Sequence, residues 1–167
     1  GGDVELVSSQ DGGALIRVLA GQIGPFTGPG KSQTPMAIAH ITLAPGASVS
    51  VPWNPEFNAL AYTLAGQGTV GEDGPGTSSA PISTGALAVF GEGDRVVFTA
   101  AETQESRHNA LEIFLIGGQP IREPVVAYGP FVMNDKAGVL KAMEDYQYGR
   151  FGQIPDDAIQ PFHHRGH

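Results

Sequence analysis

The sequence predicts an all-β fold, a sandwich or jelly-roll barrel, with an extended arm and one α-helix toward the C-terminus. Three observations carry that prediction. Short apolar runs recur at regular spacing, each bounded by turn residues. The 167 residues include 24 Gly and 13 Pro, a content that suits many turns and short strands. A convincing helical period appears only once, late in the chain.

Residues 4–7 and 14–21 read as strands separated by the turn Gln10-Asp11-Gly12-Gly13. The segment GPFTGPGKS, from Gly24 to Ser32, invites a phosphate-loop reading and fails it. Pro25 stands where the first glycine belongs, and no helical pattern follows Ser32 to aim its N-terminus at a phosphate. Turn chemistry is the better account. Residues 36–43 form a clear strand that Pro45-Gly46 turns, and 49–51 and 59–64 follow. Residues 71–81, GEDGPGTSSAP, read as a mobile loop. Strands at 85–90, 95–99 and 110–116 complete the series.

The helix is predicted over 135–148, with Asn134 as its cap, Asp135 at its positive end and Gly149 to stop it. Its expected apolar stripe is Val139, Leu140, Met143 and Tyr146. The tail from Gln153 onward is polar and punctuated by proline, and is expected to be loosely held. Several strands are apolar on both faces. In 60–64 the even positions are large and the odd ones small, and 111–116 is apolar throughout apart from Glu112. An antiparallel sheet normally wets one face, so this pattern predicts that a separate partner surface covers the outside.

Composition narrows the function. A net charge of −8 without a basic stripe argues against direct nucleic-acid binding. The absence of cysteine excludes disulfides, thiolate catalysis and cysteine-bound zinc, and fits a reducing compartment, so a cytoplasmic location is expected. No stretch approaches the ~20 apolar residues that span a bilayer, and no basic-then-apolar signal opens the chain. The opening Gly1-Gly2 reads as a fragment, a processed product or a recombinant piece.

The stretch PGASVSVPWNPEFNALAYTLAGQG, Pro45 to Gly68, resembles the first motif of the cupins, a glycine-bounded strand–bend–strand frame. In metal-binding cupins that frame carries two histidines and a glutamate. Here Pro52 and Asn54 hold the histidine positions and Ala59 the glutamate position. The second motif is eroded too: from Gly85 it places Gly91 where proline is usual, keeps Gly93, and puts Val96 at the histidine position. None of these supplies the imidazole or carboxylate that a transition metal wants.

The segment GGQPIREPVVAYGPFVMN, Gly117 to Asn134, and DYQYGRFG, Asp145 to Gly152, resemble the C-terminal half of pirins. The resemblance implies a two-barrel bicupin of which this chain is the second barrel. It divides the chain into a cupin barrel over 1–117, an arm and helix over 118–152 packing on the barrel or the partner half, and a flexible tail over 153–167. It implies no cofactor in this chain and iron, or another divalent metal, in the N-terminal half. The parent activity it implies is quercetin 2,3-dioxygenation or redox-linked regulation of a protein partner. This half would be a structural and interaction domain whose partners are the N-terminal cupin half and a regulatory protein.

No residue of the chain is assigned a catalytic or metal-binding role. The candidate pocket is Trp53, Asn54 and Asn58 at the barrel mouth, with His40. A stand-alone metal-free cupin holding a small ligand there is the alternative, and an isomerase using His40 with Tyr62 is a third reading. His40 otherwise reads as a hydrogen-bonded strand histidine, His108 as a loop residue, and Glu56, Glu102 and Glu105 as solvated. The tail residues His163, His164 and His167 have spacing that catches metal adventitiously.

Overall fold

The computed structural model describes residues 4–9, 12–72 and 78–154 of the chain. Gln10 and Asp11 of the expected first turn, the middle of the expected mobile loop, and the tail with His163, His164 and His167 lie outside the described residues. The described residues form two compact units, the first ending at Ile121 and the second beginning at Arg122.

The first unit opens with β1 (Glu5–Ser8), β2 (Ala14–Ala20), the small hairpin β3 (Gln22–Ile23) and β4 (Phe26–Thr27), and β5 (Met36–Leu43). It continues with β6 (Ser48–Pro52), β7 (Asn58–Ala65), β8 (Gln67–Val70), β9 (Ala80–Ser83), β10 (Leu87–Val89), β11 (Arg95–Ala100) and β12 (Leu111–Gly118). Two sheets result, one ordered β1-β2-β5-β12-β7-β10 and one ordered β6-β11-β8-β9. This is a jelly-roll arrangement, but among the described residues the two sheets are not hydrogen-bonded into a closed barrel.

The inner faces meet in one core. The larger sheet contributes Ala39, Ile41, Leu43, Ile113 and Leu115, and the smaller one Val51, Val70, Ile82 and Phe98. Strand alternation decides which residues go inside. In β7 the small residues Ala59, Ala61 and Thr63 are buried, while Leu60 and Leu64 are half-buried and Tyr62 is exposed. In β5 the buried positions are Ala37, Ala39, Ile41 and Leu43, which turns Ile38, His40 and Thr42 outward. The inner face thus mixes the small residues Ala37, Ala39, Ala59 and Ala61 with large ones, and Phe98 and Trp53 are buried in the same core.

Two features of the sequence find a backbone reason. Gly46 and Gly66, which bound the first cupin frame, have φ of 72° and 86°, the left-handed region that glycine enters without penalty. The frame's glycines serve the chain path and need no metal to explain them. Gly28 and Gly30, in the segment that mimics a phosphate loop, pass close to the end of β2. A Cβ on Gly28 would stand 2.4 Å from the amide nitrogen of Ala20, and one on Gly30 would stand 2.8 Å from the Ala20 Cβ. These glycines allow the chain to lie against β2.

The second unit holds the hairpin β13 (Val126–Tyr128) and β14 (Phe131–Met133), then α1 (Lys136–Gln147). The arm is therefore not wholly extended. Two details of the helix differ from the sequence reading. Asp135, not Asn134, is the N-cap: its Oδ1 accepts from the Gly138 amide at 2.6 Å. The Asn134 side chain donates instead to Glu123 Oε2 and to the Pro124 carbonyl. The buried stripe is Val139 and Ala142, whereas Leu140 and Tyr146 are each 66% exposed. Tyr146 still packs edge-on with Phe131 and Phe151, so the aromatic ring belongs to a small cluster of its own within this unit. Strand β9 also begins inside the expected loop, at Ala80. No helix among the described residues is long and apolar enough to cross a membrane.

Candidate functional site

The cupin frame places any ligand set where β6 bends into β7 and where β11 begins. Pro52, ending β6, and Asn54, in the following turn, are exposed, while Ala59 and Val96 are buried. Asn54 spends its side chain locally, accepting from the Glu56 amide at 3.0 Å, while its carbonyl accepts from the Phe57 amide. That is an Asx turn, so Asn54 shapes the bend. Phe98, the next inward residue after Val96 on β11, is fully buried, and Phe90 packs edge-on against it at 6.3 Å. Proline, an amide committed to a turn, alanine and valine do not fit iron or any other transition metal. Among the described residues no three His, Asp or Glu side chains come together as a metal set.

Trp53 is the one frame residue with substance. It is buried, its amide donates to the Asp94 carbonyl at 2.8 Å, and among the described residues its buried indole Nε1 has no hydrogen-bond partner. Trp53 borders two clefts. One, of about 460 Å³, is lined by Trp53, Ala59, Phe90, Asp94, Arg95 and Val96. The other, of about 620 Å³, is lined by Trp53, Asn54, Phe57, Pro35 and Met36 among others. At the first mouth Arg95 donates to Glu72 at 3.1 Å and lies 3.7 Å from Asp94. The Glu72 hydrogen bond, then the charges of Glu72 and Asp94, hold the Arg95 guanidinium above its usual value. Among the described residues, the Arg95 cation at this mouth is thus faced by two carboxylates.

The four candidate pocket residues do not form one pocket. Trp53 borders both clefts, Asn54 borders the second, and Asn58 is exposed at the start of β7. His40 is on the outward face of β5, away from the core. Tyr62 shares that outward face, with Phe114 of β12 between them in register, so His40 and Tyr62 enclose no pocket. His108, Glu56, Glu102 and Glu105 are all exposed.

His40 instead joins a polar group that the sequence reading did not assemble. Arg17 Nη1 donates to His40 Nδ1 at 3.3 Å and to Thr42 Oγ1 at 3.2 Å. On the far side His40 Nε2 faces Glu112 Oε2 at 3.4 Å. The signal was present as polar residues at outward positions of strands otherwise apolar on both faces.

The family profile of the Pirin C-terminal cupin domain matches residues 38–152, more than half of the chain. Pirin-like protein 2 of Arabidopsis thaliana is 36% identical over 149 residues, which cover 89% of this chain and 45% of that protein. Human Pirin is 30% identical over 148 residues, covering 89% of this chain and 48% of its own length. Among solved structures, a quercetin 2,3-dioxygenase from Acinetobacter baumannii superposes with a TM-score of 0.77 at 25% identity, over 91% of this chain and 49% of that one. The chain thus spans about half the length of the relatives it matches. On the match of the family profile, the chain belongs to the pirin family, in which it corresponds to the C-terminal cupin domain.

Proposed function

We propose that the chain is a metal-free structural and interaction domain, the C-terminal half of a pirin-type bicupin. The observation that carries this reading is the pairing of a family match covering about half of each relative with frame positions held by Pro52, Asn54, Ala59 and Val96. Iron, or another divalent metal, and the chemistry then belong to the other cupin half. By likeness to the Acinetobacter baumannii enzyme that chemistry is quercetin 2,3-dioxygenation, with redox-linked regulation of a protein partner as the second role. The outward face of the larger sheet supports an interaction role, because Tyr62, Leu87 and Val89 are 42%, 59% and 76% exposed on neighbouring strands. The absence of cysteine fits a cytoplasmic setting.

The test is quercetin turnover, followed by oxygen uptake, for the purified chain alone and for the parent protein with both halves. The expected result is no turnover by the chain and iron-dependent turnover by the parent. Turnover by the chain alone, with stoichiometric bound metal, overturns the proposal.

A further inference from the structure

The outward face of the six-stranded sheet carries one polar island in an apolar field. Arg17, His40 and Glu112 come from β2, β5 and β12, three adjacent strands. Arg17 Nη1 lies 3.3 Å from His40 Nδ1, and Glu112 Oε2 lies 3.4 Å from His40 Nε2. Across the sheet the imidazole is thus flanked by a guanidinium on one side and a carboxylate on the other. Around it lie Ile38, Leu60, Tyr62, Phe114 and Ile116.

The ends of this group are unfinished. Among the described residues Arg17 has no carboxylate partner, since Glu112 reaches His40 instead. Only its Nη1 is used, leaving the rest of the guanidinium fork open. A partner surface laid on this face strips water from that fork, and an unpaired charge then works against docking. The shape that satisfies the fork is a carboxylate, which accepts two parallel N–H bonds.

We infer that the Arg17–His40–Glu112 island selects and registers the partner on this face. The occupant is the other cupin half of the parent, and it brings a carboxylate over Arg17. The inference rests on the bicupin reading proposed above. Two observations favour that occupant: the relatives are about twice as long as the matched region, and the apolar field crosses β10, β7, β12 and β5 as a second sheet would require. The apolar field supplies adhesion, and the island supplies the choice of partner and register.

The test uses the parent protein with a protease site introduced between its halves, cut after folding, and the affinity of the halves measured by titration calorimetry. Arg17→Met is the discriminating variant, since it keeps bulk and removes charge. Arg17→Lys keeps the charge and loses the fork, and Leu60→Asp attacks the apolar field. Circular dichroism of each variant chain checks the fold. The expected result is a loss of at least about tenfold for Arg17→Met, a smaller loss for Arg17→Lys, and a large loss for Leu60→Asp. Unchanged or tighter association by Arg17→Met, with Leu60→Asp still disruptive, overturns the island's role and leaves the bicupin reading standing. If Arg17→Met does not fold, unchanged association by Arg17→Lys overturns it equally. Wild-type halves that do not associate overturn both.

Discussion

Gly117 lies directly under Trp53: a Cβ built on Gly117 would stand 2.8 Å from the Cζ2 of the indole and 1.9 Å from the carbonyl oxygen of Asn58. The glycine in β12 is what allows the ring to settle on the sheet while β7 pairs alongside. Any side chain at this position must push both the ring and the neighbouring backbone. Gly117→Ala is therefore expected to cost about 1–3 kcal/mol of stability in denaturant unfolding. Trp53 is the chain's single tryptophan, so its emission reports the displaced ring directly. Unaltered stability and emission would contradict the packing described.

The helix start gives a second prediction, at residues that differ by one position. Asp135→Ala removes the acceptor of the Gly138 amide and is expected to destabilise the helix by about 0.5–2 kcal/mol. Asn134→Ala removes only exposed hydrogen bonds to Glu123 and Pro124 and is expected to cost the helix less. Far-UV circular dichroism during unfolding ranks the two. The reverse order would restore Asn134 as the cap.

Asp145 sets a pH dependence in the second unit. Hydrogen bonds from Lys141, then Arg150, hold its carboxyl below the usual carboxylate range. The unfolded chain titrates near the ordinary value of about 3.9. A depressed folded value means the contribution is present above the unfolded value and fades as pH falls through the folded one. Asp145→Asn should therefore lower helix stability at neutral pH, and the gap to wild type should close in acid. A gap that stays constant down to strong acid would show that the ion pairs contribute nothing.

Much of the first unit was legible because strand alternation is a local signal. Strand β5 occupies the predicted residues 36–43, and β7, β11 and β12 differ from their predicted ranges by one or two residues at an end. What escaped was either short or dependent on distant neighbours. Strands β8 and β9 are four residues each, and Gly68 within the first and the loop-like surroundings of the second hid their pairing. Hairpin β13–β14 turns at Gly129-Pro130, a turn signal that the extended-arm reading passed over. The cap moved by one residue because Asn134 is claimed by Glu123 and Pro124, a contact no local pattern encodes.

The candidate site was less legible, for a physical reason. The motif frame correctly marked the bend at Trp53 and Asn54, but a frame fixes backbone, and ligand chemistry comes from side chains. His40 does not belong with the mouth, because its strand period, with Ala39 and Ile41 buried on either side, turns it outward. The small-inside, large-outside pattern of β7 is the more informative trait. This strand turns Leu60, Tyr62 and Leu64 away from its own core, and the proposed docking face rests on that pattern.

The proposed function requires that the pirin-type C-terminal domain carry no metal of its own. Elemental analysis of the purified chain, with intact mass on the same sample, tests it most directly. The account predicts no stoichiometric metal and a single mass near 17.4 kDa. About one iron per chain, with only that mass present, would contradict it, and would mean that residues outside both cupin frames hold the ion.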